Sequence, residues 1–564
     1  MDRITHTQKI GHSLILGKMG KPKSRHKLIT SQVFPHALIV APTGRGKTSG
    51  FVIPNLLTFK GSAVVLDVKG ENFENTARHR ASTGDKVYRF APTDWHDRRS
   101  HRYNPLLRIF ELDDPDRKQM ELQLLASLFL QADSDRVQGL LKGGIDLFVA
   151  AGLLAFERKR PTLGEIYRIA ASGGNKQKEF MKRRDEVQNR AAKLIFERLA
   201  STNNDTLTSY VSLLMTSGLD QWQNPAIDEA TRVSDFDFLT IRKKPFTVYL
   251  VVQPLMVKPL APLIRLFFSD LLSAMQEKEP GKDEPWPVMI MLDEFNRLGK
   301  MPIVVESIET LRTYRGHLAV VTQTIPALDE IYGENTRRAL QGNAGVKLYL
   351  TPSDEKTIEE LSKAVGKTTK TVITRSRSIG KNPFEGRSQS TRTEETSLLP
   401  EDEARRLPLD EIIMVVDAQM PVRAKRIQYF DDRLFAAIHG AQTGELPFPV
   451  MGGGGARGSG SESGGSRQNA NQDGIGAKSH KQDERLSGPQ EVGATKSVSR
   501  VKKRSGAVQV VVEEGQRQQE MNFADQGEMQ LEERDGGDRD RLDLTVDDLG
   551  GLEDQLKQGE RVSG

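Results

Sequence analysis

Short apolar runs and longer helical periods alternate along the first 450 residues and divide the chain into blocks. Residues 1–35 are polar and basic, broken by one apolar run at Ser13–Gly17. The run His36–Val40 predicts a buried strand, and a glycine-rich stretch leads from it into a helix through Val52–Leu57. Ser62–Leu66 and Lys86–Phe90 predict two more strands. Strands separated by helical stretches imply a parallel sheet covered on both faces. After Asn104–Pro105 the period becomes helical, at Met120–Leu130, Val137–Glu157, Thr162–Ala171, Lys176–Ala200 and Thr206–Met215, with almost no strand signal. The α/β pattern returns at Phe246–Val252, Val288–Leu292, Leu318–Val321 and Val346–Leu350. Two further β-rich pieces stand at Thr371–Thr374 and Ile412–Val416.

The expected organisation is therefore a basic lead-in (1–35), an α/β domain in two chain segments (36–109 and 236–445), an all-α insertion (110–235) and a tail (446–564). Residues 451–564 hold 21 of the 49 glycines and few aromatics, too little apolar surface to fold alone. Within them only Ala507–Val512 has strand character. The formal charge of +5 conceals an asymmetry. Residues 451–564 carry 16 Lys+Arg against 21 Asp+Glu, and residues 1–450 carry 65 against 55. A basic body with an acidic tail suits a polyanion-handling core and a separate interaction tail, although an ordinary soluble protein can show the same spread. Cysteine is absent, which excludes disulfides, thiolate metal sites and cysteine nucleophiles. The 10 histidines show no metal-ligand spacing, and no serine-hydrolase elbow is present. No stretch approaches the roughly 18 apolar residues that span a bilayer, and the N-terminus has no apolar signal core. The expected location is the cytoplasm.

Residues 41–48 read A-P-T-G-R-G-K-T, a phosphate-binding loop with Ala41 in place of the first glycine. Gly44 and Gly46 let the backbone curl so that its N–H groups face phosphate. Thr43, Arg45 and Ser49 complete the loop around them, and the following helix points its positive end at the anion. Lys47 would reach the β/γ-phosphates of ATP, and the Thr48 hydroxyl would ligate Mg²⁺. The strand Val288–Leu292 ends in Asp293–Glu294. Asp293 would hold Mg²⁺, and Glu294 would act as the general base on water. Gln323 closes another apolar strand and could sense the γ-phosphate or orient water, or simply cap an exposed strand end. Arg312 and Arg315 precede that strand. In a ring of subunits Arg312 is the candidate to project into the neighbour's site. Asp67-Val-Lys-Gly-Glu71 could face the same crevice, or be only a polar strand-to-helix turn.

These residues resemble the type IV coupling proteins, the TraG-like ATPases of bacterial conjugation and type IV secretion. The runs that carry the likeness include APTGRGKTSGFVIPNLL at 41–57, GSAVVLDVKGENFENTA at 61–77, HRYNPL at 101–106 and FTVYLVVQP at 246–254. They continue with LDEFNRLGKMP at 292–302, LRTYRGHLAVVTQ at 311–323, QGNAGVKLYLTPSDEKTIEELSKAVGKTT at 341–369 and LLPEDEARRLP at 398–408. The resemblance implies an α/β fold: a RecA-like P-loop NTPase domain with an inserted all-α domain and a disordered C-terminal tail. It implies a homo-hexamer with ATP between neighbours. It also implies recruitment of relaxase-bound single-stranded DNA, or of effector proteins, to a secretion channel at the inner membrane. In it the family's P-loop pair falls on Lys47 and Thr48, its acidic pair on Asp293 and Glu294, and its glutamine on Gln323. The family usually carries transmembrane helices ahead of the nucleotide domain, whereas this chain begins with the segment that follows them. Peripheral attachment at the cytoplasmic face is the expectation, with effectors or adaptors meeting the tail. An FtsK-type DNA translocase shares the core but lacks the insertion. A nucleotide-gated receptor with little turnover is the other alternative.

Overall fold

The computed structural model describes residues 11–20, 28–31, 34–131, 135–171, 173–377 and 387–449. The tail beyond 449, in which a strand was expected over Ala507–Val512, and the first ten residues lie outside this set. The described residues form two compact units: those up to 370 with 393–449, and residues 371–377 with 387–392.

The first unit is built on strands β1 (Ile15–Lys18), β2 (Leu28–Thr30), β3 (Ala37–Val40), β4 (Ser62–Val68), β5 (Lys86–Phe90), β6 (Phe246–Val252), β7 (Val288–Leu292), β8 (Gly316–Thr322) and β9 (Val346–Tyr349). Strands β10 (Lys367–Arg377) and β11 (Arg387–Ser397) pair with each other, and β12 (Glu411–Val416) and β13 (Val422–Lys425) return to the main sheet. That sheet has 11 strands in the order β2-β1-β13-β12-β9-β3-β8-β7-β4-β6-β5. From β9 to β5 the pairings are parallel. From β9 outward through β12, β13, β1 and β2 they are antiparallel. The apolar run at Ser13–Gly17 thus joins the sheet as β1.

The strands are apolar on both faces, as a sheet covered on both sides requires. Leu38, Val40, Val64, Leu66 and Ile290 enter the core shared with the helical region. Their alternates Ala37, Ile39, Ala63, Val65 and Met289 pack on the other face. This is the two-residue alternation of strand side chains.

Between Leu106 and Thr240 the described chain is helical. Its entry and exit lie side by side. The Tyr103 N–H donates to the Ala230 carbonyl at 2.9 Å and the Asp235 N–H to the Arg102 carbonyl at 3.0 Å. The Asn104 amide reaches the carbonyls of Pro161 and Arg232 at 2.8 and 3.0 Å. The single helix expected over Lys176–Ala200 breaks into Lys176–Glu186 and Arg190–Ser201. The Glu157 carboxylate takes the N–H groups of Gln188 and Asn189 at 2.8 and 2.6 Å, and Asn189 then caps the second helix. The central helix Asp135–Glu157 contains a stretch, Gly139–Glu157, long and apolar enough to cross a membrane, contrary to the sequence expectation. It is mostly buried among its neighbours, as a core helix is. Helix Ala261–Gln276, unmarked by the sequence reading, packs on the helix Pro115–Phe129 of this region, and its Phe267 stacks on Phe90 of β5.

Asn55 anchors the antiparallel side. Its amide accepts the Ile15 N–H at 2.7 Å and donates to the carbonyls of Ile15 and Phe51 at 2.9 and 2.8 Å. Asn55→Ala leaves buried backbone groups of β1 unpaired. It is expected to cost roughly 2–4 kcal/mol, measured by urea unfolding, and a loss below 0.5 kcal/mol would contradict the assignment. Two histidines supply an acid-sensitive element. His36 accepts the Leu318 N–H at 3.1 Å, and burial pushes its pKa down to about 3, with His317 and Arg312 adding to the shift. Burial also lowers His317, to about 4, with His12 adding to the effect. Both are neutral in the fold and protonate on unfolding below their ordinary value of 6.5. Stability is therefore full above pH 6.5 and drains away as pH falls towards 4. Among the described residues the His317 Nδ1 has no hydrogen-bond partner, and its ring meets Phe59 edge-on, so His317→Phe should flatten the acid limb of a stability–pH profile without harming stability at pH 8.

Candidate nucleotide site

Three adjacent parallel strands deliver the expected residues to one edge of the sheet. Strand β3 pairs with β8 in the register Val40↔Thr322, and β8 pairs with β7 in the register Val320↔Leu292. Their carboxyl ends therefore carry the loop 41–48, Gln323 and Asp293–Glu294 side by side, as ligand crevices of such sheets require. Ala41 is fully buried and donates its N–H to the Thr322 carbonyl at 2.9 Å. Ala41 directly follows β3 and precedes the turn of the loop, so a methyl group is accommodated. Gly44 and Gly46 take left-handed φ values of 78° and 77°, which open the loop so that successive N–H groups converge. Thr43 and Gly44 are exposed, while Arg45, Gly46, Lys47, Thr48 and Ser49 are half-buried.

After Lys47 the helix begins with a π-turn, Thr48–Val52, in which the Ile53 N–H reaches the Thr48 carbonyl. Pro54 explains the widening. It has no N–H for the Gly50 carbonyl, and its ring crowds that oxygen.

The Lys47 ammonium sits between the two acids, 3.0 Å from Asp293 Oδ1 and in direct contact with Glu294 Oε1. The other Glu294 oxygen accepts the Gln323 amide at 2.7 Å and lies 3.3 Å from Arg297. Glu294 itself adopts a left-handed conformation, φ 58° and ψ 37°, a backbone state non-glycine residues occupy mainly at functional turns. Burial by itself would lower the Lys47 pKa, but Asp293 and Glu294 raise it overall. Burial raises Asp293 despite Lys47, and the neighbouring Glu294 adds to the rise. Burial also acts upward on Glu294, but Lys47, Gln323 and Arg297 together hold it below the ordinary carboxylate range. Glu294 therefore stays ionised through neutral pH.

Among the described residues no group of three or more His, Asp or Glu side chains forms a metal cage. The Thr48 hydroxyl and the Asp293 carboxylate are hard oxygen donors of the kind Mg²⁺ takes alongside phosphate and water, and one positive charge, on Lys47, already sits against Asp293. The residues present fit that ion.

Asp67 is the penultimate residue of the next strand, β4. Its carboxylate is fully buried and accepts the N–H groups of Asn72 and Phe73 at 3.2 and 2.8 Å, starting the helix Glu71–Ser82. Burial lifts its pKa to about 7. Arg312 does not join the group. It precedes β8 and lies at the opposite edge of the sheet, in a cleft of about 400 Å³ with His12, Arg315 and His317, roughly 20 Å of strand from Gln323.

Three contacts had no counterpart in the sequence reading. Arg297 pairs with Glu294. Its position three residues on was the available signal. Arg265 is buried and donates to the Phe129 carbonyl at 3.0 Å and the Leu298 carbonyl at 2.9 Å, joining the helical region to the turn after the acids. Burial lowers its pKa to about 10. Arg426 contacts the carbonyl of Arg45 within the loop.

The chain is similar to several known proteins. The model of the family described as "Type IV secretory system Conjugative DNA transfer" matches residues 4–448. The protein VirD4 of Rhizobium rhizogenes is 37% identical over 436 residues, covering 77% of this chain and 64% of that protein. The conjugal transfer protein TraG of Escherichia coli is 26% identical over 455 residues, covering 71% of this chain and 68% of that protein. Thus the chain spans 64% of the length of its VirD4 relative. Among solved structures, the bacterial conjugative coupling protein TrwB lacking its N-terminus superposes with a TM-score of 0.55 at 15% identity, covering 73% of this chain and 93% of that one. TrwB in complex with ADP and Mg²⁺ gives 0.54 at 16% identity, covering 74% and 94%. These likenesses establish a shared fold. With a family match that takes in most of the chain and a loop, acids and glutamine meeting at one sheet edge, this chain belongs to the type IV secretory system conjugative DNA transfer family.

Proposed function

We propose that this chain is a coupling ATPase that recruits relaxase-bound single-stranded DNA, protein substrates, or both, to a type IV secretion channel and drives their export in conjugative transfer. The observation that carries the reading is the meeting of Lys47, Asp293, Glu294 and Gln323 at the carboxyl edge of β3, β8 and β7. A lysine bound to two acids at the mouth of a phosphate loop is a charge arrangement made to be exchanged. An incoming triphosphate competes with the acids for the ammonium and frees Glu294.

In this reading the N–H groups of residues 43–49 cradle the phosphates and Lys47 takes a β/γ oxygen. Thr48 and Asp293 would hold Mg²⁺, which when bound neutralises charge on the phosphates. Glu294, released from Lys47 yet still hydrogen-bonded to Gln323, accepts a proton from the attacking water. Gln323 orients that water. Arg312, distant from its own site, suits a homo-hexamer in which it offsets developing charge in the neighbour's. The family description, conjugative DNA transfer by a type IV secretory system, supports DNA as cargo and a secretion channel as partner; a place at the cytoplasmic face of the inner membrane and recruitment of effectors or adaptors by the tail complete the proposal. The basic balance of residues 1–450 supports contact with DNA phosphates.

Steady-state hydrolysis with and without single-stranded DNA tests this. Lys47→Ala is expected to abolish both nucleotide binding and turnover. Glu294→Gln should retain ATP binding while kcat falls about 10²–10⁴-fold. DNA should stimulate the wild type, in a manner that weakens steeply with salt. Turnover at the wild-type rate in Lys47→Ala would sink the site, and a DNA-insensitive enzyme would favour protein cargo.

A further inference from the structure

The phosphate loop is braced from behind by the antiparallel side of the sheet. Directly after β13, Arg426 lays its side chain along the loop and the first turn of the helix. A Cβ on Gly46 would come 1.6 Å from its Nη1, and one on Gly50 would come 2.8 Å from its Cγ. The guanidinium donates to the Arg45 carbonyl. Three residues further on, the Tyr429 N–H donates to the Ser49 carbonyl at 3.3 Å. The Arg426 backbone is itself tied down, its N–H donating to the Asp410 carbonyl at 2.7 Å.

We propose that Arg426 is a positioning residue of the nucleotide site, which holds the Arg45–Gly46 peptide so that its N–H faces the polyphosphate and places a positive charge behind the loop. The inference rests on the nucleotide reading above. In a planar peptide the carbonyl and the N–H point in opposite directions, so a donor that grips the Arg45 carbonyl from outside turns the Gly46 N–H inward. Hydrogen bonds in series also polarise one another. Among the described residues no carboxylate pairs with this guanidinium, and its Nε is buried without a partner. Its charge is therefore not cancelled locally. Burial lowers its pKa, opposed only by Asp410. A polyphosphate anion on the other side of the loop is the counter-charge that would satisfy it. Gly50, outside the phosphate-loop motif, then has a reason to be glycine: a side chain there would push Arg426 away.

The test uses the full chain, with affinities for ADP and for inorganic pyrophosphate measured by calorimetry and turnover measured with ATP. Arg426→Gln is expected to weaken both ligands alike, by about ten-fold, and to raise KM with little change in kcat. Arg426→Lys should restore most of the loss, and added guanidinium ion should partly rescue Arg426→Ala. Gly50→Ala should reproduce the Arg426→Gln phenotype and add nothing to it in the double variant. Unchanged affinity in Arg426→Gln, a loss confined to ADP, or a fall in kcat alone would each overturn the proposal. If Lys47→Ala abolishes binding while Arg426→Gln does not alter it, Arg426 alone is misassigned. Binding that survives Lys47→Ala would remove the nucleotide site itself.

Discussion

The parallel pairing of β3 with β8 and of β8 with β7 is the constraint on which the other features of this molecule depend. Parallel strands end at the same edge, so a loop, an amide and a pair of acids separated by about 250 residues arrive within hydrogen-bond reach of one another. The apolar runs ALIV, VMIML and LAVVT are buried on both faces. Burial of that kind fixes register, because a slip by one residue would exchange the two faces of each strand. Helical packing on one side and the mixed helical layer on the other keep the edge rigid, and the charges at the edge can then be placed closely.

Charge at the edge is organised around a shortage. One ammonium serves two carboxylates, and the two respond differently. Asp293, buried and among the described residues paired with Lys47 alone, is harder to ionise, whereas Glu294 has Gln323 and Arg297 as partners besides Lys47 and is easier. Two acids adjacent in sequence thereby come to differ in how readily they ionise. The left-handed backbone at Glu294 turns its side chain towards Lys47 and Gln323, so backbone conformation and electrostatics work together there.

Buried arginines hold the loops in place elsewhere. Arg265 binds carbonyls at the end of one helix and after the acids. Arg80 binds carbonyls of Phe59 and Gly61 and pairs with Asp85, and Arg426 binds the loop itself. A guanidinium carries five donors in a fixed plane, so one side chain can satisfy several carbonyls at once. Through Arg265 the helical region touches the turn that follows the acids, which gives that region a physical connection to the site.

The sequence by itself marked most strands of the parallel half and named candidate residues at their ends, but it missed the helix Ala261–Gln276. Unbroken apolar runs mark doubly covered strands, and the loop 41–48 and the pair Asp293–Glu294, singled out by residue type and context, lie together in the fold. Gln323 was legible for the same reason, as a polar residue ending an apolar strand. Tertiary structure alone decided the rest. The antiparallel extension through β12, β13, β1 and β2 consists of short strands with weak alternation, whose pairing is set by the neighbours they meet. The break at 187–189 depends on Glu157, some thirty residues away, taking two N–H groups. Arg265, Arg297 and Arg426 look in sequence like any surface cation. A long charged side chain acquires its role from the carbonyl or carboxylate it can reach, and that distance exists only once the chain has folded.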